Sequence, residues 1–166
     1  MTEQVIEVGE FKVGISDYKV AASPHSLVTI GLGSCIGIAL YEPVTRIGGL
    51  SHIMLPDSEG FKDRSKWQKF ADLAIPKMAE EIRTQSGKKD LVAKIAGGAS
   101  MFRFDITSTS LQIGERNILA VKEALGKSCI PLLGEHTGGN MGRTMIVDLS
   151  TFEVTVRMVN RERFVL

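Results

Sequence analysis

The sequence has little of what several classes of protein require. It contains two cysteines, Cys35 and Cys129, and neither lies in a C-x-x-C pair. That excludes a disulfide framework and a cysteine-based zinc site, and both thiols are expected to be free in a reducing compartment. No basic run occurs, and 20 lysines and arginines against 19 acidic residues leave a formal charge of +1. The electrostatic footprint of a nucleic-acid binder is therefore missing. No apolar stretch approaches ~18 residues, so no membrane insertion is expected. Met1 to Gly14 carries acidic residues where a secretory signal needs a basic start, which predicts a cytoplasmic location. Repeats, low-complexity tracts and linkers rich in proline or serine are also missing. The 166 residues are expected to form one domain, 1–166, able to bury ~70% of its unfolded surface.

What is present is glycine, 17 copies, eight of them clustered at Gly31-Leu32-Gly33, Gly48-Gly49, Gly97-Gly98 and Gly138-Gly139 beside apolar runs. Such placement marks strand ends where backbones approach closely or φ turns positive. Short, branched-rich segments at Gln4 to Ile15, Leu27 to Gly31, Cys35 to Tyr41 and Ile47 to Leu55 predict strands, with a buried helical turn as the alternative for the third. A helix is predicted from about Ser65 to Thr84, opened by a Ser65-Lys66-Trp67-Gln68 capping box and kinked at Pro76. A strand at Leu91 to Ala96 precedes a second helix, Gly114 to Leu125, with Gly126 as its C-cap. Strands follow at Cys129 to Leu133, Arg143 to Leu149 and Val154 to Val159, the last two as a hairpin. Two main helices with many mainly antiparallel strands give an α+β layered sandwich.

Chemistry has few places to reside. In Thr29-Ile30-Gly31-Leu32-Gly33-Ser34-Cys35 a cysteine follows a strand and two close glycines, where a sharp turn can expose the amides of Gly33, Ser34 and Cys35 as an oxyanion site. A thiol with a pKa near ~8.5 needs a base or a cation to become a nucleophile. Without one, a cysteine beside a strand is a small buried hydrophobe. The base must come from His25, His52 or His136. His52 lies in the apolar run Leu50-Ser51-His52-Ile53-Met54-Leu55-Pro56, either as a satisfied core residue or as a ring held in one tautomer, and neighbouring strands could bring it beside Cys35.

His25 follows Ser23-Pro24 in an expected solvated loop, and Glu135 to Arg143 is read as a glycine-rich hairpin loop. Gly33-Ser34-Cys35-Ile36-Gly37 matches the nucleophile elbow of α/β-hydrolases, but the chain is too short and its histidine arrives too early for that fold. Both phosphate-binding glycine motifs are missing. Three scattered histidines without helix-spaced carboxylates give no metal site, so no metal and no cofactor is expected.

Five ordered motifs then carry a resemblance. Leu32-Gly33-Ser34-Cys35, Ser51-His52-Ile53-Met54-Leu55-Pro56, Lys94-Ile95-Ala96-Gly97-Gly98-Ala99-Ser100-Met101-Phe102, Ile113-Gly114-Glu115-Arg116-Asn117 and Gly138-Gly139-Asn140-Met141-Gly142-Arg143 together resemble the CheD family, chemoreceptor glutamine deamidases of bacterial chemotaxis. The match runs from about Thr29 to Val156. It implies a three-layer α/β/β sandwich and a cysteine–histidine deamidase, with the nucleophile on Cys35, the base on His52 and an orienting threonine on Thr29. The sequence departs from the family pattern at Ser51, where alanine is usual, and at His136, where an acidic residue is usual. Cys129 matches no motif and is expected to be a core thiol.

The resemblance also implies substrates and partners: glutamine side chains on the cytoplasmic helices of chemoreceptors (methyl-accepting chemotaxis proteins), and a CheC-type phosphatase. It leaves a second reading open, in which the protein works mainly as a non-catalytic regulatory module that binds receptor and phosphatase.

Overall fold

Short runs of branched and small residues between turns build ten strands in the computed structural model, which describes residues 7–100 and 112–166. They form two five-stranded sheets. An outer sheet has the order β1 (Glu10–Lys12), β3 (Ser26–Leu32), β8 (Arg143–Asp148), β9 (Val154–Met158), β10 (Arg163–Val165). A central sheet has the order β2 (Tyr18–Ala22), β5 (Ile47–Ile53), β4 (Ile36–Glu42), β6 (Val92–Gly97), β7 (Leu132–Thr137). The pairs β1–β3 and β6–β7 are parallel and the other pairs antiparallel. Helices α1 (Ala71–Ser86) and α2 (Ile113–Lys127) cover the far face of the central sheet, completing the expected three-layer α/β/β sandwich. No helix among the described residues is long and apolar enough to cross a membrane.

Two cores follow from this layering. Ile36, Ile38 and Leu40 of β4 pack with Ala74, Ile75, Met78 and Ile82 of α1 on the helix side. Ala39, Tyr41 and Leu50 pack with Met145, Val147, Val154 and Val156 between the sheets. Every residue of β4 is buried, which is why it reads as an uninterrupted apolar run rather than an alternating one. Truncating one of its large residues to alanine is expected to cost ~2–5 kcal/mol. Glycine at position 37 lets the sheets close, because a Cβ there would lie 2.7 Å from the Met145 sulfur.

Several boundaries differ from the sequence reading for tertiary reasons. The segment read as one strand from Gln4 has only Glu10–Lys12 in strand form, and its first three residues lie outside the described residues, as do Met101 and Phe102. The expected capping box is not used. A 3-10 turn spans Trp67–Lys69, and α1 starts at Ala71 with Phe70 as an uncapped N-cap. The reason is pairing: the amides of Met54 and Leu55 both donate to the Lys69 carbonyl, and the Ala71 amide donates to Leu55, so residues 67–70 are drawn onto the end of β5. Pro76 is exposed, and the helix runs on through it to Ser86.

Helix α2 also runs past Gly126 to Lys127, and the left-handed residue after it is Cys129, φ 56°. Cys129 is exposed rather than in the core. Finally, Glu135 to Arg143 is not a hairpin loop: it carries the chain from β7 in the central sheet to β8 in the outer one.

Candidate active site

Cys35 ends the turn after β3 and leads into β4, while His52 lies near the end of the adjacent strand β5. The register pairs His52 with Gly37. Since side chains alternate along a strand, Cys35, Gly37 and His52 share the face toward the outer sheet. Cys35 is His52's diagonal neighbour, a relation with Cα spacing of ~7–8 Å that leaves side chains within reach. The thiol is half-buried against the inter-sheet core, and His52 is fully buried. Both backbone groups of His52 are held: its amide donates to the Asp17 carbonyl at 3.0 Å, and its carbonyl accepts from Ser16 at 2.9 Å.

Thr29 reaches His52 from the opposite sheet. Its hydroxyl lies 2.7 Å from His52 Nδ1 and 2.8 Å from the Val13 carbonyl oxygen. A hydroxyl has one proton, and a carbonyl can only accept, so Thr29 donates to Val13 and accepts from Nδ1–H. This fixes the tautomer and leaves the Nε2 lone pair available. Nε2 is buried and has no hydrogen-bond partner among the described residues, Cys35 included. A β-bulge between Thr29 and Leu32 in β3, with Gly31 at φ 79°, turns the chain from Thr29 toward Cys35.

Burial sets the charge state of the pair. It pushes the Cys35 thiol up from its ordinary value, opposed in part by the residue's own backbone amide. It pulls the His52 imidazole down to about 4. The resting groups at neutral pH are a thiol and a neutral imidazole, not a thiolate–imidazolium pair.

The backbone around the sulfur is tightly fixed. Gly98 N–H donates to the Cys35 carbonyl at 2.9 Å, and Ala99 N–H donates to the Gly33 carbonyl at 2.8 Å. A Cβ on Gly97, φ 117°, would fall 2.2 Å from the Cys35 carbonyl oxygen. Of the candidate oxyanion donors, the Gly33 amide is engaged with the Gly31 carbonyl at 3.2 Å, so the amides of Ser34 and Cys35 are the better placed.

Two side chains near the site had no role in the sequence reading. Asn117 of α2 is fully buried and donates from Nδ2 to the Ser34 carbonyl at 2.9 Å and the Met54 carbonyl at 3.0 Å. Its signal in the sequence was a carboxamide on the stripe that also carries Gly114, Val121 and Leu125. Arg143 is buried and gathers the glycine-rich segment, donating to His136 Nδ1 at 2.8 Å and to the carbonyls of His136, Gly138 and Met141. His25, expected to be idle, accepts the Gly9 amide at Nδ1 over 3.0 Å. Among the described residues no three His, Cys, Asp or Glu side chains converge as metal ligands would.

Comparison with known proteins supplies the context for this geometry. The family model described as CheD chemotactic sensory transduction matches residues 54–158. The probable chemoreceptor glutamine deamidase CheD of Clostridium kluyveri is 54% identical over 93% of this chain and 96% of its own length. Those of Clostridium novyi (53% identical; 90% of this chain, 93% of that one) and Desulforamulus reducens (52%; 90% and 91%) are similar. The crystal structure of hypothetical protein YfiH from Bacillus licheniformis superposes with a TM-score of 0.44 at 14% identity, over 73% of this chain and 50% of that one.

Proposed function

The chain belongs to the CheD family, and on that premise we propose that it is a chemotaxis deamidase that converts glutamine side chains of chemoreceptors to glutamate, with Cys35 as nucleophile, His52 as base and Thr29 as orienting residue. The observation that carries this reading is the Thr29 hydroxyl held between Val13 O and His52 Nδ1. It leaves Nε2 unprotonated on a ring that shares a sheet face with the half-buried sulfur.

The reaction follows from that arrangement. Rotation about the Cys35 Cα–Cβ bond brings the thiol to Nε2, since catalytic contacts are commonly loose before substrate arrives. Nε2 takes the thiol proton as sulfur bonds to the carboxamide carbon, and the oxygen's negative charge falls to the amides of Cys35 and Ser34. The imidazolium gives its proton to the leaving nitrogen, the C–N bond breaks, ammonia departs and a thioester remains. Nε2 then deprotonates water, hydroxide attacks the thioester carbon, and the sulfur leaves with its proton restored. The sum is glutamine plus water to glutamate plus ammonia, with no redox change.

Because both resting groups are neutral, proton transfer accompanies attack instead of preceding it, and the thiol gains nucleophilicity only when a substrate occupies the site. The chemoreceptor helix is the proposed substrate, and a CheC-type phosphatase the proposed regulatory partner. The test is ammonia release and a one-dalton mass gain on a chemoreceptor cytoplasmic fragment, with Cys35→Ala beside the parent. Loss of both signals in the variant supports the reading, and equal activity refutes it.

A further inference from the structure

The turn that carries the nucleophile is tied to the helix layer through one side chain. Asn117 projects from α2 into the gap between two chain segments, the one that enters β4 at Cys35 and the one that leaves β5 after His52. Both of its partners are carbonyl oxygens, so the carboxamide orientation is not in question: only the NH2 end can serve them. The Oδ1 end is buried without a partner among the described residues. The unpaired Oδ1 is a cost that the two bonds donated by Nδ2 must offset.

We propose that Asn117 is a positioning residue for the reaction, pinning the Ser34 carbonyl inward so that the N–H of Cys35, on the opposite side of the same peptide, faces the reacting carbonyl oxygen. The argument is planar geometry. In a trans peptide the C=O of one residue and the N–H of the next point in opposite directions within one plane. Fixing the Ser34 oxygen against α2 at 2.9 Å therefore fixes the Cys35 N–H away from α2, toward the inter-sheet side on which the sulfur and the His52 ring lie. The next peptide is fixed independently, its Cys35 carbonyl bound by the Gly98 amide at 2.9 Å. With both flanking peptide planes held, the φ and ψ of Cys35 have no freedom to swing the amide off target. The second bond, to Met54 at 3.0 Å, tethers the same nitrogen to the strand end two residues beyond His52. One NH2 group thus sets the nucleophile's peptide relative to the base.

This inference rests on Cys35 and His52 being the reacting pair, and it separates two functions of the turn. Deamidation needs a reactive thiol and an oriented oxyanion donor. Alkylation by iodoacetamide needs only the thiol. The test is Asn117→Ala in the full chain, with kcat and KM for ammonia release from a chemoreceptor cytoplasmic fragment, the alkylation rate of Cys35 followed by peptide mass spectrometry, and a melting curve.

The expected result is a cooperative melt, kcat lower by about 100-fold, a loss of the size seen for single oxyanion donors, KM within about threefold, and an alkylation rate within about threefold of the parent. If Asn117→Ala does not fold, Asn117→Ser, which keeps one donor, is expected to show the same split at smaller amplitude. Retention of kcat within about threefold overturns the proposal. So does a parallel fall of kcat and alkylation, which would mean that the thiol itself has been displaced. Equal deamidation by Cys35→Ala and the parent would remove the premise, and it is recognised from that variant alone.

Discussion

Replacing Thr29 by valine keeps the shape of a side chain that is 1% exposed and removes only the hydroxyl between the two sheets. Two groups lose their partner, the Val13 carbonyl and His52 Nδ1–H. Each orphaned buried group costs ~1–3 kcal/mol, which for a chain of this size lowers the melting temperature by on the order of 10 °C. The kinetic effect is separate. Without the threonine oxygen, nothing in the pocket prefers the tautomer with Nε2 unprotonated. A net hydrogen-bond energy of ~1–2 kcal/mol then becomes a fall in kcat of roughly 5- to 30-fold. KM is expected to change little, since Thr29 is buried behind the ring. The assay is initial-rate ammonia release well below the melting temperature, beside Thr29→Ser, which restores the hydroxyl and is expected within about threefold of the parent. A folded Thr29→Val enzyme with kcat within about twofold of the parent would refute the assignment of Thr29 as the ring's orienting partner.

Titration of His52 gives a second prediction. Its folded value of about 4 lies below the ordinary ~6.5, so the unfolded chain binds this proton first as pH falls. Stability present above pH ~6.5 is lost progressively down to about 4, by about 3 kcal/mol in all. The same value puts the acid limb of kcat/KM near pH 4. At pH 5.5 the parent should retain ~97% of its pH 7 rate, against ~12% for an imidazole at 6.5, and a limb at the higher value would contradict the buried neutral ring. The Ser51 hydroxyl is fully buried and unpaired among the described residues, so Ser51→Ala is expected to raise stability by ~1 kcal/mol in a urea titration. Gly97→Ala should lower both stability and kcat, because its Cβ would be driven into the Cys35 carbonyl oxygen. Thermal melts and ammonia release read the two effects.

How much of this was legible in the residues differs by level. The strands of the two cores were visible because β4 and β5 have the branched-rich, glycine-bounded character of buried strands, and His52 stood out as a polar interruption in one of them. The pairing of β4 with β5 brought His52 and Cys35 onto one face, as adjacency of the two segments allowed. What sequence could not show was decided between distant segments. The start of α1 is displaced because residues 67–70 pair with Met54 and Leu55, and no local capping preference competes with that. The strand β2 was missed because Tyr18–Ala22 is short and only partly buried. Glycine at 126 suggested a helix end, yet the tight turn forms three residues later at Cys129. The bond from Thr29 to His52 spans two sheets, and no period along the chain reports it. Asn117 belongs to a family-like motif that says nothing of its place, although a carboxamide on an apolar stripe is a readable oddity.

The order of the chain adds a temporal consequence to the split origin of the proposed triad. Thr29, Cys35 and His52 all precede by some 90 residues or more the strands that complete the outer sheet, β8 and β9, at Arg143–Asp148 and Val154–Met158. A nascent polypeptide therefore carries all three residues long before the leaf that seats Thr29 against the ring is complete. On the proposed reading, competence waits until β8 and β9 have been made, so a product truncated before Arg143 is expected to be inert instead of a stray modifier of other proteins.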